Sequence, residues 1–144
     1  MIDGFELLER EHREVEQRFD GYAAAPDDAI AHEICERLTL HSDIEERALY
    51  PALRRYVDGG DDLADRAEQE HAAVKLLIAR VYGAPPDDLQ PLMQEIRENV
   101  ERHVQEEEQE LFPEMRDSRV DPNELGDRLE AAKRDATNAF SQPG

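Results

Sequence analysis

Six side chains in this sequence have the types and spacing of a metal-binding set. They occupy positions on apolar stripes, and they are His12, His41, Glu45, His71, His103 and Glu107. An unpaired buried carboxylate costs several kcal/mol or is forced to take up a proton, so the set needs a partner. Two explanations compete: His–Glu ion pairs within the core, or a metal site.

A repeated motif favours the metal site. His41 and Glu45 are four residues apart, as are His103 and Glu107, so each pair lies on one helix face. Each pair also follows a helix that contributes one further histidine. Four imidazoles and two carboxylates suit a pair of first-row metal ions, with bridging carboxylates and terminal imidazoles. Iron or manganese fits this mixture, and zinc is an alternative.

A second ligand set competes with this one. Glu9 and Glu68 lie three residues before His12 and His71, and Glu-x-x-His is the unit of ferritin-like carboxylate sites. In those proteins the unit lies on the second and fourth helices, whereas here it lies on the first and third. It would also leave the other two helices' histidines without a ligand role.

Several neighbouring residues receive a simpler interpretation. Glu46 and Glu108 follow the bridging positions and should point sideways, beside the ligands or into solvent. Tyr50 follows the first motif, where packing near the helix end, as for Phe112 in the second copy, is favoured over contact with a metal or donation to a bridging oxygen. His32 matches no motif and is predicted to lie at the surface.

Three breaks separate four predicted helices. Each break combines a stop signal with aspartates that can cap the next helix: Pro26-Asp27-Asp28, Gly60-Asp61-Asp62 and Pro86-Asp87-Asp88. The helices are predicted over residues 3–24, 28–57, 62–83 and 88–116. A shorter fifth helix over about 122–140 would begin at Asp121 and pack Leu125, Leu129 and Phe140 inward.

The halves of the chain repeat one another. Residues 41–54 align without gaps to residues 103–116, with His, Glu, Glu, Leu, Pro and Arg coinciding. Around the other two histidines, residues 9–15 match residues 68–74 at Glu, Glu, His and Val. The chain is therefore predicted to be a helical hairpin written twice, related by a pseudo-twofold axis.

Composition limits the partners. The length of 144 residues predicts a single domain over residues 1–144. The net charge of −19 disfavours binding to nucleic acid or to an acidic membrane. No basic leader and no span of roughly 20 apolar residues occurs, so we expect a cytoplasmic protein without a membrane partner. Cys35 is the one cysteine, which excludes an internal disulfide and a thiolate metal cage.

From His12 to Arg116 the sequence resembles the hemerythrin-like (HHE cation-binding) domain family. The resemblance rests on one His, then His-x-x-x-Glu-Glu-x-x-Leu-Tyr/Phe-Pro, then one His and the same motif again. It implies an all-α fold, an antiparallel up-down four-helix bundle with a short C-terminal helix, holding a non-haem di-iron centre. The two iron ions would be bridged by oxo or hydroxo and by carboxylates. His12 and His41 would bind one iron, His71 and His103 the other, and Glu45 and Glu107 would bridge them.

The sequence departs from the oxygen-carrying hemerythrins. Those use two histidines one turn apart on the third helix, whereas Ala67 and Lys75 flank His71 here. The last carboxylate is Glu107, four residues after His103, in place of the carriers' Asp one residue further on. Fewer histidines leave more coordination positions open, which favours activation of an external ligand over simple carriage.

Three functions are compatible with this pattern. The first is redox enzyme chemistry, namely catalase-like decomposition of hydrogen peroxide or an oxidoreductase reaction with nitric oxide or dioxygen. The second is a module that binds, stores or senses dioxygen or iron without turnover. The third is a structural bundle whose six polar residues form ion pairs. The sequence favours the first and leaves the oligomeric state open.

Overall fold

The structure is a computed structural model and describes residues 1–141. Within these residues, every regular element of secondary structure is a helix. The α-helices are α1 (Gly4–Ala24), α2 (Asp28–Ile44), α3 (Tyr50–Tyr56), α4 (Gly60–Val81), α5 (Pro86–Glu106), α6 (Phe112–Arg116) and α7 (Pro122–Ser141). Two π-helical turns, π1 (Glu45–Leu49) and π2 (Glu107–Leu111), join α2 to α3 and α5 to α6. The predicted helices are thus confirmed, each with ends within two residues of those expected.

The aspartate caps explain where two of the helices begin. Asp3 accepts hydrogen bonds from the first backbone N–H groups of α1, and Asp27 does the same for α2. α4 begins two residues before the predicted position, because Gly59 adopts a left-handed backbone (φ 73°) that starts the helix early.

Both π turns begin at a glutamate of the predicted metal set. In π1 the N–H of Tyr50 donates to the carbonyl of Glu45, and in π2 the N–H of Phe112 donates to that of Glu107. A proline follows each turn and lacks an N–H, so one helical hydrogen bond is already missing and widening the turn costs less. The sequence analysis did not foresee these turns.

Two apolar clusters enclose a polar layer. The first, the Phe5 cluster, includes Phe5, Leu53, Phe112 and Met115. The second, the Phe19 cluster, includes Phe19, Ile34, Ile78, Met93 and Ile96. Along α1 and α4 the chain passes from the Phe5 cluster to the Phe19 cluster, and along α2 and α5 it passes back. The six predicted ligands lie between the two clusters.

Helix α7 closes the bundle at the Phe5 cluster, where it packs against α1, α2 and π1. Leu125 and Leu129 are buried there as predicted, whereas the side chain of Phe140 lies outside the described residues. Gly126 permits the close approach, because a Cβ at this position would meet the carbonyl oxygen of Ile2 at 2.0 Å. Of the helices described, none is long and apolar enough to cross a membrane.

Candidate metal centre

The structure brings all six predicted residues into one buried layer. His12, His71 and His103 are buried, His41 is nearly so, and Glu45 and Glu107 have no exposed surface. Their side-chain nitrogen and oxygen atoms form two groups that share both glutamates. The His12 position consists of His12, His41, Glu45 and Glu107, and the His71 position of His71, His103, Glu45 and Glu107. Within each group the ligand atoms lie within 4.8 Å of one another.

Each glutamate faces both positions, one carboxylate oxygen to each. Glu45 Oε2 lies 3.3 Å from His41 Nε2, and Glu45 Oε1 lies 3.1 Å from His71 Nε2. Glu107 Oε1 lies 3.2 Å from His12 Nε2, and Glu107 Oε2 lies 3.2 Å from His103 Nε2. This arrangement matches the internal repeat, because Glu45 and Glu107 occupy equivalent positions in the two halves of the sequence.

The imidazoles meet in pairs at their Nε2 atoms. The Nε2 atoms of His12 and His41 are 3.2 Å apart, and those of His71 and His103 are 3.1 Å apart. Each pair comes from two different helices, so four helices contribute nitrogen to one layer. Such close nitrogen pairs are expected where imidazoles converge on a common cation.

A second set of glutamates holds the outer nitrogen of the imidazoles. Glu108 lies 2.6 Å from His12 Nδ1, Glu11 lies 3.0 Å from His41 Nδ1, and Glu70 lies 2.7 Å from His103 Nδ1.

The fourth member of this set is more distant, since Glu46 lies 3.7 Å from His71 Nδ1. A carboxylate at Nδ1 fixes the proton there and leaves Nε2 free to bind metal. The predicted sideways position of Glu46 and Glu108 is confirmed. The roles of Glu11 and Glu70 were missed, although each directly precedes a predicted ligand in the repeat.

Tyr50 adds a hydroxyl to the His71 position. Its Oη lies 3.0 Å from His71 Nε2 and 3.2 Å from His103 Nε2, and it donates to Glu107 Oε2 over 3.0 Å. Burial, together with Glu107 and Glu45, raises the pKa of Tyr50 well above its usual value. Packing alone, the interpretation favoured from the sequence, therefore does not describe this residue.

The π turn explains why Tyr50 points inward. In an α-helix, residues five apart differ by about 140° in direction, which would turn Tyr50 away from Glu45. The wider turn places both on the same side. Phe112 occupies the equivalent place at the other position, where its ring stacks on that of His12 with centroids 6.2 Å apart. The two positions therefore differ by one hydroxyl.

Protonated histidines balance the carboxylates in the metal-free site. Burial alone would lower the pKa of His41, but Glu45 and Glu11 outweigh it and raise the pKa to about 10. The pKa of His103 is likewise raised, against the effect of burial, chiefly by Glu107. Burial would raise the pKa of Glu45, yet the neighbouring histidines hold it well below its usual value. A metal ion entering the layer must therefore displace protons.

The buried polar atoms fit a cation. Among the described residues, Glu45 Oε2, Glu107 Oε1 and His71 Nδ1 are buried without a hydrogen-bond partner. The two oxygens each lie beside a histidine nitrogen but lack hydrogen-bond geometry with it. Buried carboxylate oxygens in proteins are ordinarily satisfied, and a metal ion would satisfy both of these.

The remaining candidates lie away from the layer. Glu68 pairs with Arg54 at 3.3 Å, and neither Glu9 nor Glu68 belongs to the two groups. His32 stacks on Tyr82 with ring centroids 4.9 Å apart, outside the site. The structure therefore brings together the residues of the His-x-x-x-Glu motifs with His12 and His71, and it leaves Glu9 and Glu68 outside both groups.

Comparisons with known proteins concern the family to which the chain belongs. A family model described as the hemerythrin HHE cation binding domain matches residues 3–115. An uncharacterized hemerythrin-like protein of Schizosaccharomyces pombe is 26% identical over 111 residues, which cover 72% of this chain and 55% of that protein. The chain thus spans about half the length of this curated relative. No solved structure matches the chain.

Proposed function

This chain belongs to the hemerythrin HHE cation-binding family, and from that membership we propose that it is a non-haem di-iron protein. Its ligands would be small diatomic or peroxide molecules, namely dioxygen, nitric oxide or hydrogen peroxide. His12 and His41 would hold one iron ion, and His71 and His103 the other. Glu45 and Glu107 would bridge the two.

One observation carries the proposal: each buried glutamate directs one oxygen to each pair of histidines. If the layer consisted of core ion pairs, each histidine would have a carboxylate oxygen in hydrogen-bond geometry. Here two of the four carboxylate oxygens lack that geometry and are unpartnered. A pair of cations, one in each group, accounts for all four oxygens.

We propose an antiparallel up-down four-helix bundle as the scaffold, forming a single domain with α7. Its four members would be α1, α2 continuing into α3, α4, and α5 continuing into α6. The alternation between the Phe5 and Phe19 clusters supports this arrangement, because successive members cross the polar layer in opposite directions.

The side chains around the layer would orient and insulate the centre. Glu11, Glu70 and Glu108 keep a proton on the Nδ1 atoms that they contact, which points each Nε2 atom inward. The Tyr50 hydroxyl holds its proton towards Glu107 and Glu45. Apolar side chains on both sides exclude bulk water. Iron ions bound there would supply exchangeable electrons and open coordination positions.

With two histidines at each position, bound iron would keep coordination positions open, and this favours turnover over storage. Decomposition of hydrogen peroxide, two molecules to two of water and one of dioxygen, needs no reductant, so a site with two interconvertible iron ions suffices. Binding or sensing of dioxygen or iron without turnover is the alternative, and the experiment below separates the two.

The test is the metal content per chain, measured with the near-ultraviolet and visible spectrum before and after dithionite and then hydrogen peroxide. We expect about two irons per chain, absorption bands that bleach and recover, and dioxygen release on adding peroxide. Bands that recover without gas release would favour the binding module. A protein that takes up no transition metal, with unchanged helix content after chelation, would refute the proposal.

A further inference from the structure

The four outer glutamates do not hold their imidazoles equally. Three of them lie 2.6 to 3.0 Å from the Nδ1 atom of a histidine, and they are Glu11, Glu70 and Glu108. The Nδ1 atom of His71 is buried and has no hydrogen-bond partner among the described residues. The carboxylate of Glu46 lies 3.7 Å from it, which is beyond hydrogen-bond distance. One imidazole of the four therefore lacks the contact that fixes the others.

The internal repeat argues against a backbone cause for this difference. Glu46 and Glu108 occupy equivalent places, because each is the second residue of a π turn. Glu108 nevertheless lies 2.6 Å from His12 Nδ1, whereas Glu46 lies 3.7 Å from His71 Nδ1. The difference follows from the other groups that each carboxylate contacts.

A lysine beside Glu46 accounts for the longer distance. The ammonium group of Lys75 donates to Glu46 Oε2 over 3.1 Å, and this is the same oxygen that lies nearest to His71 Nδ1. The two donors therefore compete for one oxygen, and the charged donor makes the stronger hydrogen bond. In the other half of the repeat, the position of Lys75 is occupied by Glu16, which cannot compete in this way.

Cations at two other outer glutamates leave the imidazole contact in place. Lys133 donates to Glu11 Oε2, whereas His41 Nδ1 contacts Oε1 of that carboxylate. Arg13 contacts both oxygens of Glu108, so it exerts no one-sided pull on that side chain. Among these three cations, a one-sided pull on the oxygen that the imidazole needs is specific to Lys75.

A carboxylate at Nδ1 orients a metal-binding imidazole and makes it a stronger ligand, and loss of such a partner typically costs about 10–100-fold in metal affinity. We propose that Lys75 is a positioning residue, which holds Glu46 away from His71 and thereby speeds the release of a cation from the His71 position. This inference rests on the proposed function and adds a residue that regulates one of its two positions.

The rate of zinc release tests the proposal without iron. Zn²⁺ binds imidazoles and carboxylates and has no redox chemistry. After excess chelator is added to the zinc-loaded protein, we expect one phase of release to be about tenfold slower in Lys75→Met, because Glu46 can then reach His71. Lys75→Arg keeps a cation beside Glu46 and should release zinc as the unmodified protein does. The side chain of Lys75 is 48% exposed, so these substitutions leave the core intact.

The matched control is Lys133→Met. Lys75 and Lys133 are the two lysines of the chain, and each lies 3.1 Å from an outer glutamate with its side chain about half exposed. Both substitutions therefore remove the same charge from the same kind of ion pair. Since Glu11 already contacts His41, Lys133→Met should leave zinc release unchanged within about twofold. Equal slowing in the two variants would reflect overall charge and would overturn the proposal.

The imidazole N–H proton resonances of the zinc-loaded protein provide a structural readout. We expect three Nδ1 protons at the low field typical of N–H groups bonded to carboxylates, with that of His71 upfield of them. The His71 proton should move to low field in Lys75→Met and should not move in Lys75→Arg. Four low-field protons in the unmodified protein, or no change in Lys75→Met, would contradict the assigned role of Lys75.

These experiments, together with the iron content, distinguish this inference from the proposed function. Full iron content with no effect of Lys75→Met on zinc release would refute the inference alone. Uptake of zinc without iron, with slower release from Lys75→Met, would refute the di-iron proposal alone. A chain that binds neither metal would refute both.

Discussion

The histidines and glutamates of the polar layer differ from those elsewhere in the chain in what their side chains contact. A histidine outside it, His32, stacks on Tyr82 at the surface. Inside it, each Nε2 atom faces a buried carboxylate oxygen at 3.1 to 3.3 Å. Removing a side chain from the layer would therefore remove a proposed ligand and also leave its partners unpaired.

Substituting His71→Ala or Glu107→Ala should lower bound iron to less than about half that of the unmodified protein, since either change removes a proposed ligand from at least one position. Iron per chain is measured by plasma mass spectrometry after gel filtration. His32→Ala is the control and should bind the full amount. Equal iron in all three variants would refute the ligand assignment.

The raised pKa of His41 predicts how the stability of the metal-free protein depends on pH. A pKa of about 10 in the folded state against 6.5 in the unfolded chain means that His41 stabilises the fold fully below pH 6.5. This contribution is lost as the pH rises towards 10. The free energy of unfolding in the presence of a chelator should fall by a few kcal/mol between pH 6.5 and pH 9.5.

Urea denaturation at the two pH values tests this expectation, with His41→Gln as the comparison. The substituted protein should be less stable at pH 6.5 and should lose less stability on going to pH 9.5. The same fall in both proteins would show that groups other than His41 cause it.

At the scale of elements, helix α7 is fixed by close backbone contact as well as by apolar side chains. Gly126→Ala would push a methyl group against the Ile2 carbonyl, and Gly21→Ala, with nothing within 4 Å, provides a helical glycine in open space. We expect Gly126→Ala to destabilise the protein by about 1–3 kcal/mol and Gly21→Ala to stabilise it by about 0.5–1 kcal/mol. Urea denaturation measures both, and a gain in stability for both would mean that α7 does not pack closely there.

The helices and the six layer residues could be predicted because they depend on local spacing. His12 and His71 occupy the centre of stripes with apolar residues three or four positions to each side, and that spacing places them in the core. The predicted cap at Asp27 acts within one turn of the chain. Interactions between residues within one helical turn of each other can be inferred from a single sequence.

Features that depend on partners distant in sequence could not be predicted. Glu11 lies off the stripe, so nothing local shows that it reaches His41 on another helix, 30 residues away. Tyr50 was misjudged because its direction depends on a π turn that ordinary helical periodicity cannot reveal. The useful signal was the proline after each motif, which marks a place where the regular hydrogen-bond pattern is interrupted.

At the scale of the whole molecule, metal binding and stability should be linked. Under the proposed function, iron would bind the folded layer and not the unfolded chain, so loading should raise the thermal midpoint by several degrees. Differential scanning calorimetry of iron-loaded and chelator-treated protein measures this shift, and circular dichroism follows the helix content. Identical midpoints with full iron occupancy would place the metal outside the folded core.

The polar layer between the two apolar clusters also affects how the molecule opens. Hydrocarbon contacts hold each end together, but across the layer the connection consists of charged and polar groups whose strength depends on what they bind. Without a cation in the layer, we expect the Phe5 end and the Phe19 end to differ in the rates at which their amide protons exchange. With a cation bound to side chains from four helices, we expect the two ends to open as one cooperative unit.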